Sequence, residues 1–358
     1  MATELDRQAL TLAVDAMGGD KGPEEIVKGC GLAIQAGLRS KLRLVGKEEL
    51  LAPAVKAADL SAEQVSIQHT EGVVEMDDKP AKALRRSKDS SMWAAIEAVK
   101  SGEAAGVVSC GNTGALMAIA RMRLKMIEGV DRPAASCLWP GLGGNAVVLD
   151  VGANVESDPQ QLVQFAIMGE AYYRSLYGKK RPRVGLLNVG EEDLKGHTLI
   201  RNAAVILREA DPDMDFIGFV EGDDISGGDV DVVVTDGFTG NIALKTAEGT
   251  ARMIGSWVKE ALTANLMSKA GAALMMPSLK KLKARMDPSS VNGAPLLGLD
   301  GLVVKSHGGS DAAGVKSALM MTEELAAHPF VDDIRRTVRT VNERAKTVEI
   351  EDVPTAAE

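Results

Sequence analysis

The feature that most restricts the fold is a repeated one: short, nearly unbroken apolar runs, each followed by a stretch with helical spacing. The runs are Thr11–Asp15, Leu42–Gly46, Gly106–Ser109, Ala146–Val151, Arg183–Val189, Asp215–Val220, Val230–Asp236 and Leu302–Ser306. Unbroken rather than alternating runs mark parallel strands covered on both faces. Between them, one segment opens at Ser157, a good N-cap, with Pro159 in the first turn. It continues through Leu162, Phe165, Ala166, Gly169, Tyr173 and Leu176 and stops at Gly178, which predicts a helix. The alternation predicts an α/β chain with a doubly wound α/β/α sandwich. The 358 residues suit a single two-lobed catalytic domain over 10–345, with frayed residues 1–9 and an acidic tail over 346–358. Aromatics make up only 3%, so the core must be built from Ala, Val, Leu, Ile and the 16 methionines. Methionine adapts to irregular apolar gaps and ligands.

The net charge of −9 argues against a global basic field for nucleic acid. Cys30, Cys110 and Cys137 are odd in number, widely spaced and form no CxxC pair, and the four histidines are scattered. Neither a disulfide framework nor a zinc site is expected, and no cofactor is called for. The N-terminus lacks a basic segment followed by an apolar one, and no apolar run approaches the roughly 18 residues of a membrane span. These features predict a cytoplasmic protein that can touch a membrane peripherally.

Six strands end in Gly together with Asn, Asp, Ser or Thr: 15-DAMGGD, 109-SCGNTG, 150-DVGAN, 188-NVGEE, 236-DGFTGN and 305-KSHGGSD. Ligands of open α/β sheets bind beyond the carboxyl ends of the strands, and exposed N–H groups at the following helix favour an anion. The six clusters are therefore expected to line one edge of the sheet. Such turns also want Gly and Asn for purely conformational reasons. A Walker loop is excluded because Gly46-Lys47 is followed by Glu48. The dinucleotide-like spacing Gly141, Gly143, Ala146 precedes a strand instead of following one. No GxSxG nucleophile elbow surrounds Ser109.

The motifs VDAMGGD, GNTGALM, LDVGANVE, GLLNVGEE, VVVTDGFTGNIALKT and KSHGGSDA, in this order, resemble the bacterial fatty acyl-ACP:phosphate acyltransferases of phospholipid synthesis, from about Leu12 to about Leu325. The resemblance implies a fold like that of isocitrate and isopropylmalate dehydrogenases and of phosphate acetyltransferases. It implies a homodimer, and transfer of an acyl group from acyl carrier protein to inorganic phosphate. The acyl phosphate would feed a membrane glycerol-3-phosphate acyltransferase. Many relatives have Ala in place of Cys110, so this thiol is a poor nucleophile candidate.

Direct attack by phosphate on a thioester requires positioning and charge relief more than a covalent intermediate. The expected catalytic residues are Asn112, Asn188, Lys195, His197, Lys305 and His307. Phosphate and substrate binding falls to Asp15, Gly18, Gly19, Gly111, Thr113, Gly114, Asn154, Asp236, Thr239, Asn241, Gly308 and Ser310. The aspartates are read as orienting groups or helix caps.

Two basic stretches stand out in an acidic chain. Lys79, Lys82, Arg85 and Arg86 could steer an acidic carrier protein, or form a solvated helix face. Residues 261–286 hold five basic and no acidic residues. There Leu266, Leu274, Met275 and Met276 beside Lys280 and Lys281 suit shallow insertion into an anionic bilayer, with a dimer-core helix or an acyl groove as competing readings. Other functions left open are a short-chain phosphate acetyltransferase using acyl-CoA, a non-enzymatic membrane-associated scaffold of lipid synthesis and a nicotinamide-dependent dehydrogenase.

Overall fold

Unbroken apolar strands do pair in parallel, but in two blocks that run in opposite directions. The computed structural model describes residues 10–211, 213–279 and 292–348, without the side chains of Lys82 and Arg86. The segment 1–9, Lys280, Lys281 and the tail beyond 348 lie outside the described residues.

The strands are β1 (Thr11–Asp15), β2 (Lys41–Gly46), β3 (Val65–His69), β4 (Gly106–Ser109), β5 (Ala134–Gly141), β6 (Gly144–Leu149), β7 (Arg183–Leu187), β8 (Asp215–Val220), β9 (Val232–Val234), β10 (Ala294–Leu297) and β11 (Leu302–Lys305). They form one sheet in the order β3-β2-β1-β4-β11-β10-β5-β6-β9-β7-β8. All eight strands expected from the sequence are present, with bounds shifted by a few residues. Their residues are buried on both sides: Leu12 to Val14, Val107, Val108 and Val232 to Val234 are all core. β3, β5 and β10 are additional.

β3, β2, β1, β4 and β11 are mutually parallel, and so are β6, β9, β7 and β8. Between the blocks stand β10 and β5, and the pairs β11–β10, β10–β5 and β5–β6 are all antiparallel. Three antiparallel steps reverse the direction. The carboxyl ends of β1, β4 and β11 therefore lie at one edge of the sheet, and those of β6, β7 and β9 at the other. This corrects the expectation that six strand ends share an edge. Near-identical loop chemistry is silent about strand direction, because each loop reads the same at either edge.

Helices cover both faces. The helix expected after Ser157 spans Pro159–Tyr177, but its N-cap is Asp158. The Asp158 carboxylate accepts the Gln161 N–H at 2.8 Å, and the Gln161 side chain accepts the Asp158 N–H at 3.2 Å. This reciprocal box outcompetes Ser157. Gly178, at φ 66°, ends the helix in the left-handed region. The helix Gly237–Thr263 behaves differently. Only Gly237 and Gly240 are buried in it, and it presents Met253, Ile254, Trp257 and Val258 to solvent. The helix Leu266–Leu274 follows with no buried residue. Among the described residues no helix is long and apolar enough to cross a membrane.

Candidate active site

Register brings the first group of functional side chains together. Asp15 pairs with Ser109 across β1 and β4, and Ser109 with Lys305 across β4 and β11. The three residues end adjacent parallel strands at one level. Asp15 is buried, and its two carboxylate oxygens accept hydroxyl hydrogens from Ser91 and Ser109, each at 2.6 Å. Burial pushes the Asp15 carboxyl above the usual carboxylate range, against the pull of the two serines, the Met17 backbone and the Lys305 charge. The Ser109 oxygen in turn accepts the Gly111 N–H at 3.0 Å. A rigid chain thus runs from Asp15 through Ser109 into the Gly111–Gly114 turn. Asp15 orients this turn and does not line the cavity beside it.

The loops after β1 and β11 lock onto this turn. Asp20 N–H donates to the Gly308 carbonyl at 2.9 Å. Gly19, at φ +95°, sits where a Cβ would lie 2.9 Å from Cys110 and 3.0 Å from the Gly308 oxygen, so only glycine fits. Lys305, only 8% exposed, points its ammonium at the carbonyls of Cys110 (3.4 Å) and Ser306. Burial lowers its pKa from the ordinary lysine value, while nearby Cys110, Asp15 and Asp20 oppose the shift. His307 accepts the Gly309 N–H on Nδ1 at 3.1 Å, so a neutral ring carries its proton on Nε2. Ser306 and Ser310 share a hydroxyl contact at 2.9 Å, and both accept from the Asn292 amide, at 2.7 and 3.0 Å. Asn292 and Ser306 are not among the residues singled out from the sequence. Asn292 follows the basic segment by several residues and carries no motif of its own.

Asn112 departs from its expected role. Its Oδ1 caps the helix Thr113–Leu124 by accepting the Ala115 N–H at 2.9 Å. Its amide nitrogen donates to the carbonyls of Met76 (2.8 Å) and Asp78 (2.9 Å). Both ends of the amide are spent inside the protein, so Asn112 is a positioning residue for the 75–78 loop. The first-turn N–H groups of Thr113 and Gly114 have no intrahelical acceptor, and Thr113 also lines the cavity beside the turn. Cys110 is buried, and burial raises its thiol pKa, which suits a packing role better than that of a thiolate nucleophile.

Part of this group, including Lys305, Ser306, His307, Ser310 and Asn292, borders a cavity of about 860 Å³. Of the residues expected from the sequence, it gathers Thr113, Lys305, His307, Gly308 and Ser310 together with Asn241. The remaining second-block residues stay outside it. Asn154 is buried, and its amide donates to Pro133 O at 2.7 Å and to Asp150 at 2.9 Å. Asp150 accepts backbone N–H groups from Ala135, Gly152, Ala153 and Asn154, so it organises its own loop. Asn188 donates to the carbonyls of Gly190 and Lys195. Lys195 is exposed and pairs with Glu192 at 2.8 Å, and that partner raises its pKa. His197 stands at the N-terminus of the helix Thr198–Ala210 without capping it through its side chain. Asp236 caps the long helix by accepting the Thr239 N–H at 2.9 Å and the Thr239 hydroxyl at 2.8 Å. Close packing at this edge is severe: a Cβ on Gly240 would lie 2.0 Å from the Asp150 carbonyl oxygen.

Lys79 and Arg85 are exposed on or beside the short helix Pro80–Arg86. The Pro80 ring lies where a Cβ on Gly114 would touch it, at 2.9 Å, so this basic element adjoins the turn beside the cavity. The Lys82 and Arg86 side chains lie outside the described residues. Leu266 and Leu274 are each 86% exposed, and Met275 and Met276 are exposed too.

Residues 10–332 match the family model described as "Fatty acid synthesis protein". The chain is 53% identical over 328 residues to a phosphate acyltransferase of Maricaulis maris, covering 91% of this chain and 93% of that one. The chain belongs to the phosphate acyltransferase family. A phosphate acyltransferase of Caulobacter vibrioides is 51% identical over 342 residues, with 95% of each chain covered. Membership makes the chain an acyltransferase enzyme. Among solved structures, a phosphotransacetylase from Streptococcus pyogenes superposes with a TM-score of 0.59 at 17% identity, covering 90% of this chain and 96% of that one. At that identity the likeness is one of fold, the α/β/α sandwich expected from the sequence.

Proposed function

We propose that the chain moves a fatty acyl group from acyl carrier protein to inorganic phosphate. The observation that carries this reading is a cavity of about 860 Å³ lined mainly by apolar side chains together with Lys305, His307 and Thr113. In this reading phosphate sits against the Lys305 ammonium and the Thr113 N–H at the start of its helix, which hold it in attack range of the thioester carbonyl. A phosphate oxygen forms the new O–C bond, the carbonyl oxygen takes the charge, and the C–S bond then breaks. The pantetheine thiolate leaves and takes a proton, which His307 Nε2–H, lining the same cavity, can supply. Asp15, Ser109 and Asn112 act by fixing the turn.

The carrier is acidic in character, and the exposed Lys79 and Arg85 next to the Gly114 turn suit its approach. The solvent-facing Met253, Ile254, Trp257 and Val258 recur at helical spacing on one face, which supports a homodimer formed through the long helix. The bare apolar helix beyond it supports shallow contact with an anionic membrane, where the acyl phosphate would pass to a glycerol-3-phosphate acyltransferase.

The test is phosphate-dependent thiol release from palmitoyl-ACP, with hydroxylamine trapping of the product. Thiol release and hydroxamate that both require phosphate support the reading. Silence with palmitoyl-ACP but activity with acetyl-CoA would replace it with the short-chain reaction.

A further inference from the structure

The helix Phe330–Ala345 packs against the helices Pro159–Tyr177 and Thr198–Ala210. Where they meet lies a second pocket of about 460 Å³, which shares no lining residue with the cavity at Lys305. Arg181 and Asp213 line it and shortly precede β7 and β8, so it sits by the amino-terminal ends of those strands. Five cationic side chains reach it. Arg336 and Arg344 lie on one stripe of the helix Phe330–Ala345, with Thr340 midway between them. Arg174 comes from the last turn of Pro159–Tyr177, and Lys180 and Arg181 from the connection to β7.

That connection is a basic run, Lys179-Lys180-Arg181-Pro182-Arg183, in an acidic chain. Its outer members are already paired, Lys179 and Arg183 both with Asp231. Arg174 pairs with Glu170 at 3.5 Å, and Arg336 with Asp333. Lys180, Arg181 and Arg344 form no ion pair among the described residues, and Arg344 reaches only the Ala210 carbonyl, at 3.5 Å. The buried carboxyls in the lining do little to cancel these charges. Burial pushes Glu170 up to about 7 despite Arg174, and burial together with Asp213 raises Asp211. One Asp211 oxygen, Oδ2, is buried without a hydrogen-bond partner, which further disfavours its charged form. Asp213, the third carboxylate of the lining, is exposed.

We infer that this pocket binds a diphosphate, free or carried on a nucleoside, with Lys180, Arg181 and Arg344 as its cationic partners. A single phosphate group brings about two negative charges and leaves one of the three unpaired cations unmatched, and a second phosphoryl group supplies the remainder. The two guanidinium groups suit phosphate oxygens taken in pairs, and the Lys180 ammonium acts as a point charge. A volume of about 460 Å³ lies within the range of small-molecule sites and leaves room for a nucleoside beyond the diphosphate, with the Thr337 and Thr340 hydroxyls in the lining. The inference is independent of acyl transfer and stands or falls without it.

The experiment is calorimetric titration of the full chain with ADP and with inorganic pyrophosphate, both free of magnesium and at low salt, where exposed charges are least screened. The same titrations are run on the double variant Lys180→Ala/Arg181→Ala and on Lys305→Met. Lys180 and Arg181 are exposed, so their loss should leave the fold intact, and thermal melting checks this. If the double variant does not fold, Arg344→Ala takes its place. The expected result is binding of at least one ligand that weakens by about tenfold or more in the double variant and stays within about twofold of wild type in Lys305→Met. Tighter binding of ADP assigns the pocket to a nucleotide, and pyrophosphate binding as tight or tighter assigns it to the free diphosphate. No binding of either ligand up to about 1 mM, or a double variant with wild-type affinity, overturns the inference. Loss of binding in Lys305→Met would place the anion in the other cavity and overturn it as well.

Discussion

Replacing Lys305 by methionine isolates the cation at the end of the cavity. The change keeps length and apolar bulk and removes only the ammonium. That ammonium is held by the Cys110 and Ser306 carbonyls in a buried position, where it cannot be replaced by bulk solvent without rearrangement. Loss of one preorganised donor in such a setting costs about 10²–10³ in turnover, or roughly 3–4 kcal/mol. Stability should move the other way or not at all. Burial already disfavours the charged lysine, so a neutral side chain of similar volume is tolerated. The assay is initial-rate thiol release from palmitoyl-ACP over a range of phosphate concentrations and pH. Wild-type activity depends on the ammonium, which exists below its pKa. Because burial lowers that pKa, the alkaline loss of activity should begin below the ordinary lysine range. The variant should lack this limb and show a raised KM for phosphate. A folded Lys305→Met enzyme with wild-type kcat, phosphate KM and pH profile would refute the assignment.

Asn112→Asp keeps the cap on Ala115 but removes the donor to the Met76 and Asp78 carbonyls, at a cost of about 1–3 kcal/mol. The melting temperature should fall by several degrees, and an unchanged value would show that the 75–78 loop is held by other means. Glu170 is buried, and burial pushes its carboxyl up to about 7 despite Arg174 at 3.5 Å. With the folded pKa above the ordinary one, its contribution to stability is full below the unfolded value and is lost as pH rises through 7. Glu170→Gln should therefore gain up to about 3 kcal/mol relative to wild type at pH 8 and almost nothing at pH 4. Parallel melting curves at both pH values would contradict this. Leu274→Glu with Met275→Glu should weaken sedimentation with anionic vesicles while leaving thiol release in solution intact, and undiminished vesicle binding would remove the membrane reading.

The parts legible in the sequence were those where one physical signal acts alone. Val107-Val108 and Val232-Val233-Val234 are β-branched, apolar and bounded by turns, and they are strands. β5 reads AASCLWPG, with two alanines, a proline and no β-branched residue, and β10 is the four residues APLL. Neither carries a strand pattern, because tertiary pairing in the middle of the sheet fixes them. Without a signal for those two strands the sequence carries none for the reversal of direction, and six chemically alike loops read as one edge. Lys305, His307, Thr113 and Ser310 do meet at the cavity. Asn188, Lys195 and His197 have the same residue chemistry at the opposite edge. Asn112 and Asp15 were legible as important polar residues, but which way their side chains turn is set by partners far away in the chain, Met76 and Ser91 among them.

The placement of β10 and β11 also bears on how the chain is made. These strands come from residues 294–305 yet occupy the centre of the sheet, between β4 and β5. Until the ribosome has released them, β4 and β5 each present an unpaired backbone row, and each half of the sheet has an open inner border. Closing those borders joins partners separated by well over a hundred residues, a slow step for any nascent chain. A product truncated before residue 294 would keep both borders exposed and would be a strong candidate for chaperone capture or aggregation.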